Sequence, residues 1–568
     1  MIKINVCFLL IVICILGNCA KQQPPPGGPV DKAPPEIIKV FPTSNSILVD
    51  RDTKITIEFS ERVQAKSVED AIFISPRHSE DPAYKWKRGR KLIIEFPDSL
   101  KKDRTYVLTI GTDAVDLRRN RMENSFQLAF STGEKLDQGR ISGTVYGNSG
   151  IEGTIIGAYT LQPEQEVNPA QITAEYVTQC NTTGDYRLSY IAPDNYRLFA
   201  INDKDGNGKY NNGYDGIGIP TTDVTLTEDQ LSVDNINFQI AVKDTILPGI
   251  KSVIDINQHH VDIRFDGPLA QIKKVNPQFY FSITGEETKE DTLEILSFFP
   301  NSLDGSRFHL KTGKQDSGRS YIIVARNLFD LAGNPIDTTY NSYVFSGSSL
   351  PDTLQPTLIF QSIKDKTKEV PLNSAINLIF SEALICSTFE QHFALTDSNE
   401  VEIKGSYLRK NPTDFTFVPD TKLASQMTYF VHVTVDSVFD EFGNSLADSA
   451  IDFKFTTVNK DTLSAINGIV KDNLTDAKGK IHLIATLIGS QNITYNTVLD
   501  SAGLYMFDEI FPGIYSIYGF IDADSNGVYS YGQVIPFVPA ERFLFLPDSI
   551  KVRSRWLNEG NDLFFREY

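Results

Sequence analysis

Ile55-Thr56-Ile57-Glu58-Phe59-Ser60-Glu61 decides the fold. Ile55, Ile57 and Phe59 fall on one face, and Lys54, Thr56 and Glu58 on the other. That period of two predicts a half-buried strand running into a polar turn. The stretch returns as Val261-Asp262-Ile263-Arg264-Phe265-Asp266 and as Ile376-Asn377-Leu378-Ile379-Phe380-Ser381-Glu382. Each copy is followed by a turn that opens on Asp: Asp116-Leu117-Arg118-Arg119-Asn120, Asp330-Leu331-Ala332-Gly333-Asn334 and Asp440-Glu441-Phe442-Gly443-Asn444. The Asp can bond its own backbone, and the Gly accepts a positive φ; the first copy has Arg119 in place of that Gly. Closing strands follow at Phe126–Thr132, Tyr343–Ser346 and Phe453–Thr457. The Phe-to-Asn separations of 61, 69 and 64 residues mark a recurring unit of about 100 residues, the size of a β-sandwich.

A second pattern alternates with the first. Ile141-Ser142-Gly143-Thr144-Val145, Gly184-Asp185-Tyr186 and Pro193-Asp194-Asn195-Tyr196 match Ile466-Asn467-Gly468-Ile469-Val470, Gly503-Leu504-Tyr505 and Pro512-Gly513-Ile514-Tyr515. No long amphipathic helix interrupts either pattern. The expected class is all-β: five tandem sandwiches at 37–134, 139–242, 246–348, 355–459 and 464–568. In line they would make a rod of at most about 150–200 Å, shorter if neighbours fold back.

The Phe-Ser-Glu strand end, the Asp-x-x-Gly-Asn turn and the Phe-x-Thr closing strand resemble the bacterial Ig-like domains of S-layer and cell-surface proteins. The second pattern resembles the carboxypeptidase regulatory-like, prealbumin-type sandwich. Both resemblances imply structural or adhesive modules, and neither implies an active site.

The first 18 residues carry Lys3 and the apolar run Phe8–Leu16, too short for a comfortable membrane span, and end before Cys19. Leu16-Gly17-Asn18-Cys19 resembles the lipobox of bacterial lipoproteins, which implies a cleaved leader, acyl chains on Cys19 as the membrane partner, and an outer-membrane lipoprotein of the cell envelope. The Pro/Gly-rich stretch of 19–36 then serves as a spacer. Cys180 and Cys386 lie over 200 residues apart, which argues against a disulfide framework and a paired-Cys zinc site. The formal charge of −18 leaves no basic footprint for nucleic acid and makes anionic membrane surfaces poor partners for the same reason.

The sharpest polar cluster is Asp203-x-Asp205-x-Asn207-Gly208, with a counterpart in Asp522-x-Asp524-x-Asn526-Gly527. Oxygens at positions 1, 3 and 5 suit calcium. The acid that such a loop wants at position 12 is missing, since Tyr214 and Gln533 stand there, and Asp215 can replace it only in the first loop. The alternative is an Asx-turn connection. Asp-Thr-aliphatic triplets at the seams place Thr245, Thr353 and Thr462 in a pattern resembling the O-glycosylation acceptor of Bacteroidota envelope proteins, and Asp98-Ser99-Leu100 and Asp548-Ser549-Ile550 also fit. The alternative for these is ordinary turn chemistry. Glu61 and Glu382 read as solvated turn acids in separate units, and the histidines are scattered apart from His259-His260. No nucleophile elbow, zinc-protease helix or phosphate loop is present. The expected function is non-catalytic adhesion, binding or scaffolding at the envelope, facing either side of the membrane, with envelope proteins or glycans as partners. The competing expectation is a glycan-binding accessory subunit of a carbohydrate-processing or transport complex. Only Trp86 and Trp556 could supply an indole platform for it.

Overall fold

The computed structural model describes residues 32–565, apart from 77–79, 148–149, 164–165, 273–275, 288–290, 474–477 and 491–492. Cys19 and most of the tether lie outside the described residues. The described chain is built of paired, mostly antiparallel sheets with two short helices, Ala65–Asp70 and Cys386–His392. No helix of the described residues is long and apolar enough to cross a membrane.

The first pattern folds the same way in all three copies. Strand Ile55–Phe59 buries Ile55, Ile57 and Phe59 and sits between Ile37–Phe41 and Lys91–Glu95, with Ala83–Lys87 at the edge. His260–Phe265 and Ile376–Phe380 occupy the same place in their sheets. On the opposing sheet Tyr106, Tyr321 and Tyr429 stack on Phe130, Phe345 and Phe455, with ring centroids 5.8, 5.6 and 5.6 Å apart. Each tyrosine hydroxyl accepts the backbone N–H five residues upstream, at Lys101, Asp316 and Ala424. A buried ring brings large apolar area, and its hydroxyl finds a partner, so one residue type satisfies both demands.

The second pattern has its own tyrosine device. Tyr186 and Tyr505 are buried, and their hydroxyls donate to the carbonyls of Ile236 and Asn561. Those carbonyls come so close to the first strand that a Cβ on Gly143 or Gly468 would meet them at 1.9 and 2.2 Å. The glycines noted in the sequence are therefore demanded by backbone approach. Tyr196 and Tyr515 donate to the carbonyls of Ala192 and Phe511, four residues back.

The units do not run in line. The arm formed by residues 528–540 of the last unit lies on the second. The Arg197 guanidinium sits 3.4 Å over the Phe537 ring, the Ala540 N–H donates to the Pro220 carbonyl at 3.1 Å, and Gln239 Nε2 donates to Tyr518 at 2.9 Å. Tyr146 stacks on Phe545, and Phe199, Ile217, Ile219 and Ala540 share one buried cluster. The extended rod is thus replaced by a chain that folds back, because both partners present apolar and aromatic surface that burial against each other removes from water.

Phe537→Ala should weaken this contact by about 1–2 kcal/mol, from lost ring burial and the lost cation–π pair. Small-angle scattering should then give a larger radius of gyration with an unchanged far-UV spectrum. An unaltered radius would count against the closure.

Candidate functional site

Strand registers bring two groups of acids together, and a seam between units brings together a third. In the second unit Asn202 pairs with Gly216, so the register places Asp215 opposite Asp203. In the last unit Phe520 pairs with Phe543, which places Glu541 opposite Asp522. Carboxylate oxygens of Asp203, Asp205 and Asp215 lie within 4.8 Å of one another, and so do those of Asp522, Asp524 and Glu541.

The two loops share most of their hydrogen bonds. Asp215 accepts the N–H of Lys204 and Asn211. Glu541 accepts those of Ala523 and Ser530. Asp203 accepts Gly206 and Gly208, while Asp522 accepts Asn526 and Gly527. Asn207 and Asn526 donate to Asp205 and Asp524 at 2.9 Å and accept Lys209 and Val528 through their carbonyl oxygens. Burial pushes Asp203 and Glu541 upward from ordinary carboxylate values. Glu541 lies beyond Gln533, the loop's twelfth position, where spacing within the loop carries no signal of it. The missing acid returns on the next strand, after the arm that reaches the second unit. The turn network is real in both loops, and the three converging carboxylates offer oxygens of the kind a hard cation could take.

The third group lies at the seam between the third and fourth units. Asp352, Glu382 and Asp440 converge within 4.8 Å beside a cavity of about 70 Å³ also lined by His260 and His309. Asp440 is buried and accepts the N–H groups of Phe442 and Asn444 and the Asn444 amide. Asp352 accepts Leu354 N–H and Asn257 Nδ2. Glu382 accepts no hydrogen bond from any described residue. Burial, then Asp352 and Asp440, push it up to about 7. The expected solvated turn acid is thus half-buried, because the seam closes over it: Phe442 stacks on His259 and Lys311 pairs with Glu441. Glu61 belongs to another unit, as expected.

The histidines are less scattered than the sequence implies. His260 and Asp262 share a strand face, and Asp262 pairs across the sheet with His309. His309 Nδ1 lies 2.8 Å from Asp262 Oδ1 and 3.1 Å from His260 Nε2. Asn301 is held by Leu303 and Asp304 N–H groups on its oxygen, so its amide nitrogen faces His309 Nε2 at 3.2 Å. That orientation puts the neutral ring's proton on Nδ1, the nitrogen that meets His260 Nε2 and lies beside Asp262. A metal ion on Nδ1 would force a proton onto Nε2 against the amide donor, which disfavours His309 Nδ1 as a ligand. Burial and His309 push His260 down to about 4.

At the seams, Asp244 and Asp352 fold back on the N–H two residues ahead, and Thr245 and Thr353 are exposed. Thr462 donates to Asn459 from the short helical turn Lys460–Thr462. Asp244 also lines an open cleft of about 480 Å³ with Asp266, Asp330 and Leu331. Cys180 is buried and Cys386 half-buried, both free.

These sheets and turns define a tandem β-sandwich protein. Residues 31–132 and 352–457 match the bacterial Ig-like domain, so the chain carries two domains of that kind. No curated protein matches it. Among solved structures it is similar to the N-terminal part of the bacterial S-layer protein SbsC, at 14% identity over 37% of this chain and 44% of that one, TM-score 0.17. It is also similar to the Bacteroides ovatus mixed-linkage glucan protein SGBP-B, at 10% identity over 84% and 100%, TM-score 0.17. An L,D-transpeptidase of Mycobacterium smegmatis aligns at 16% identity over 23% of this chain and 56% of that one, TM-score 0.14.

Because folded Glu382 holds its proton more tightly than the unfolded chain does, stability should fall as pH rises from near 4.5 to about 7 and level off above. With solvent screening at this half-exposed position, Glu382→Gln should gain about 1 kcal/mol above pH 7 and nothing below pH 4.5. Denaturant melts at the two pH values check it.

Proposed function

We propose that this protein is a non-catalytic, lipid-anchored envelope protein that works as a binding or scaffolding module. The observation that carries the reading is the fold-back itself. Sandwiches with internally satisfied cores clasp one another through the arm at 528–540 and present loops at their poles. Rigid sandwiches presenting loops suit recognition more than chemistry. The lipobox-like Cys19 and the spacer after it support anchorage. Radiolabelled palmitate entering wild-type protein and absent from Cys19→Ala is the expected result, and equal label in both would remove the anchor.

Calcium is part of this proposal. The loops at Asp203 and Asp522 would each hold one ion, and the second lies at the root of the arm, so its occupancy would stiffen the clasp. Titration calorimetry on the whole chain should show weak binding, in the range of ~10⁻⁴–10⁻³ M that extracellular calcium modules use. Glu541→Gln should remove one of the two sites. Silence in the wild type would leave both loops as Asx turns. Thr245 and Thr353, exposed at the seams, are the proposed sugar acceptors, and the intact mass of envelope-extracted protein reads them directly.

A glycan-binding role has one observation behind it. Trp86 is half-buried, stacks on Phe59 and donates to Glu69, so it offers no platform. Trp556 is 66% exposed. Retardation in a glycan-containing gel that disappears in Trp556→Ala would favour this reading, and equal mobility of the two would discard it.

A further inference from the structure

We infer that the tether-side pole of the first Ig-like unit docks on an anionic lipid surface. The inference rests on the anchorage proposed above. At this pole the chain enters beside Ser60, whose N–H donates to the Glu36 carbonyl at 2.7 Å. Three loops meet there. Val63 N–H donates to Gly89, Gln64 N–H to Val115, and Val63 bridges to Asp116. Together they expose Arg62, Arg88, Arg90, Arg118 and Arg119, with Leu117 64% exposed among them. The acids at the pole include Glu36, Glu61 and Asp116, and at its flank Asp113, together with Glu152 of the second unit, pairs with Arg121. Burial raises Asp116, but hydrogen bonds from Asn120 and Arg118 outweigh it and hold it low. In a chain of net −18, this concentration of arginine is local and specific.

The protein supplies its own control. The same backbone contacts recur in the other two Ig-like units, where Phe265 and Phe380 bond to Ser306 and Thr413 as Phe59 does to Arg90. Positions matching the five arginines hold Pro268, Asp304, Ser306, Ala332 and Gly333 in one unit, and Ala383, Asn411, Thr413, Phe442 and Gly443 in the other. Neither set contains a cation. Arg119 takes φ +70° where Gly333 and Gly443 take +85° and +87°. A side chain there is strained, and glycine is the residue that relieves it. Charge has been placed at the expense of backbone comfort.

Position names the partner. In the fourth unit this pole packs on whatever precedes it: Phe442 on His259 and Asn411 on the Pro300 carbonyl. What precedes the first unit is the spacer and Cys19. Cys19 to Asp31 spans about 40 Å if extended at ~3.1 Å per residue, short enough to hold the pole against the headgroups. Arginine's planar fork suits phosphate oxygens, and a protruding Leu117 can enter the interface among them.

The test uses the chain from Cys19 to Tyr568, produced without its leader and so without acyl groups, so that only the pole is read. Sedimentation with phosphatidylcholine vesicles should leave it in solution. Vesicles that also contain phosphatidylglycerol should carry it down, and added salt should release it. Arg119→Gly should weaken partition by about fivefold while leaving the fold as stable or more so, and Arg62→Gln with Arg88→Gln should cost about fivefold for each charge. Equal behaviour on both vesicle types, or binding indifferent to these substitutions, overturns the inference. Loss of palmitate labelling at Cys19 with anionic-vesicle binding intact would overturn the anchor and leave the pole's affinity standing.

Discussion

The buried carboxylate of the Asp-x-x-x-Asn turn is the constraint around which each of the three units of the first pattern is organised. Asp116, Asp330 and Asp440 each accept the backbone N–H and the side-chain amide of the Asn four residues on. A buried carboxylate is tolerated only when such donors replace water. Once satisfied, it pins the turn against the strand end that begins the unit, bringing three loops to one pole. That pole is then free to differ. In the fourth unit it gathers Asp352 and Glu382 against a neighbour, in the third it opens a cleft, and in the first it displays arginine. One invariant interaction underwrites three surfaces of different charge.

The other pair of sandwiches obeys a comparable economy. Antiparallel register brings an acid back across from Asp203 and Asp522 whatever the length of the intervening excursion. The short excursion in the second unit closes on itself. The longer one in the last unit becomes the arm that reaches the second unit, yet Glu541 returns to the place Asp215 occupies. Ends held by strand pairing let a long insertion sit on the surface at small entropic cost, which frees it to make contacts elsewhere.

Much of this was legible in the residues. Alternation around Phe59, Phe265 and Phe380 revealed the strands, and the tyrosine and glycine marks of the second pattern have the packing reasons their spacing implied. What was not legible depends on long-range pairing. Glu541 stands 19 residues from Asp522, and only the strand register shows that they meet. His309 reaches His260 across a sheet. Glu382 read as solvated because nothing local shows that a neighbouring unit closes over it. The arm's partner lies over 300 residues away, and no periodicity encodes that contact.

Closure and polarity bear on each other. A straight chain of sandwiches would carry its last unit far from the lipid. The clasp of Phe537 under Arg197 instead returns that unit to the second, which itself abuts the first through Tyr190 to Asn45 and Val177 to Ser75. The contacts therefore draw the surfaces of the second and last units toward the end that carries the arginine pole. If the proposed anchorage holds, this arrangement would present a broad face close to the membrane, and its reach would be set by the spacer between Cys19 and the first strand more than by the number of its units.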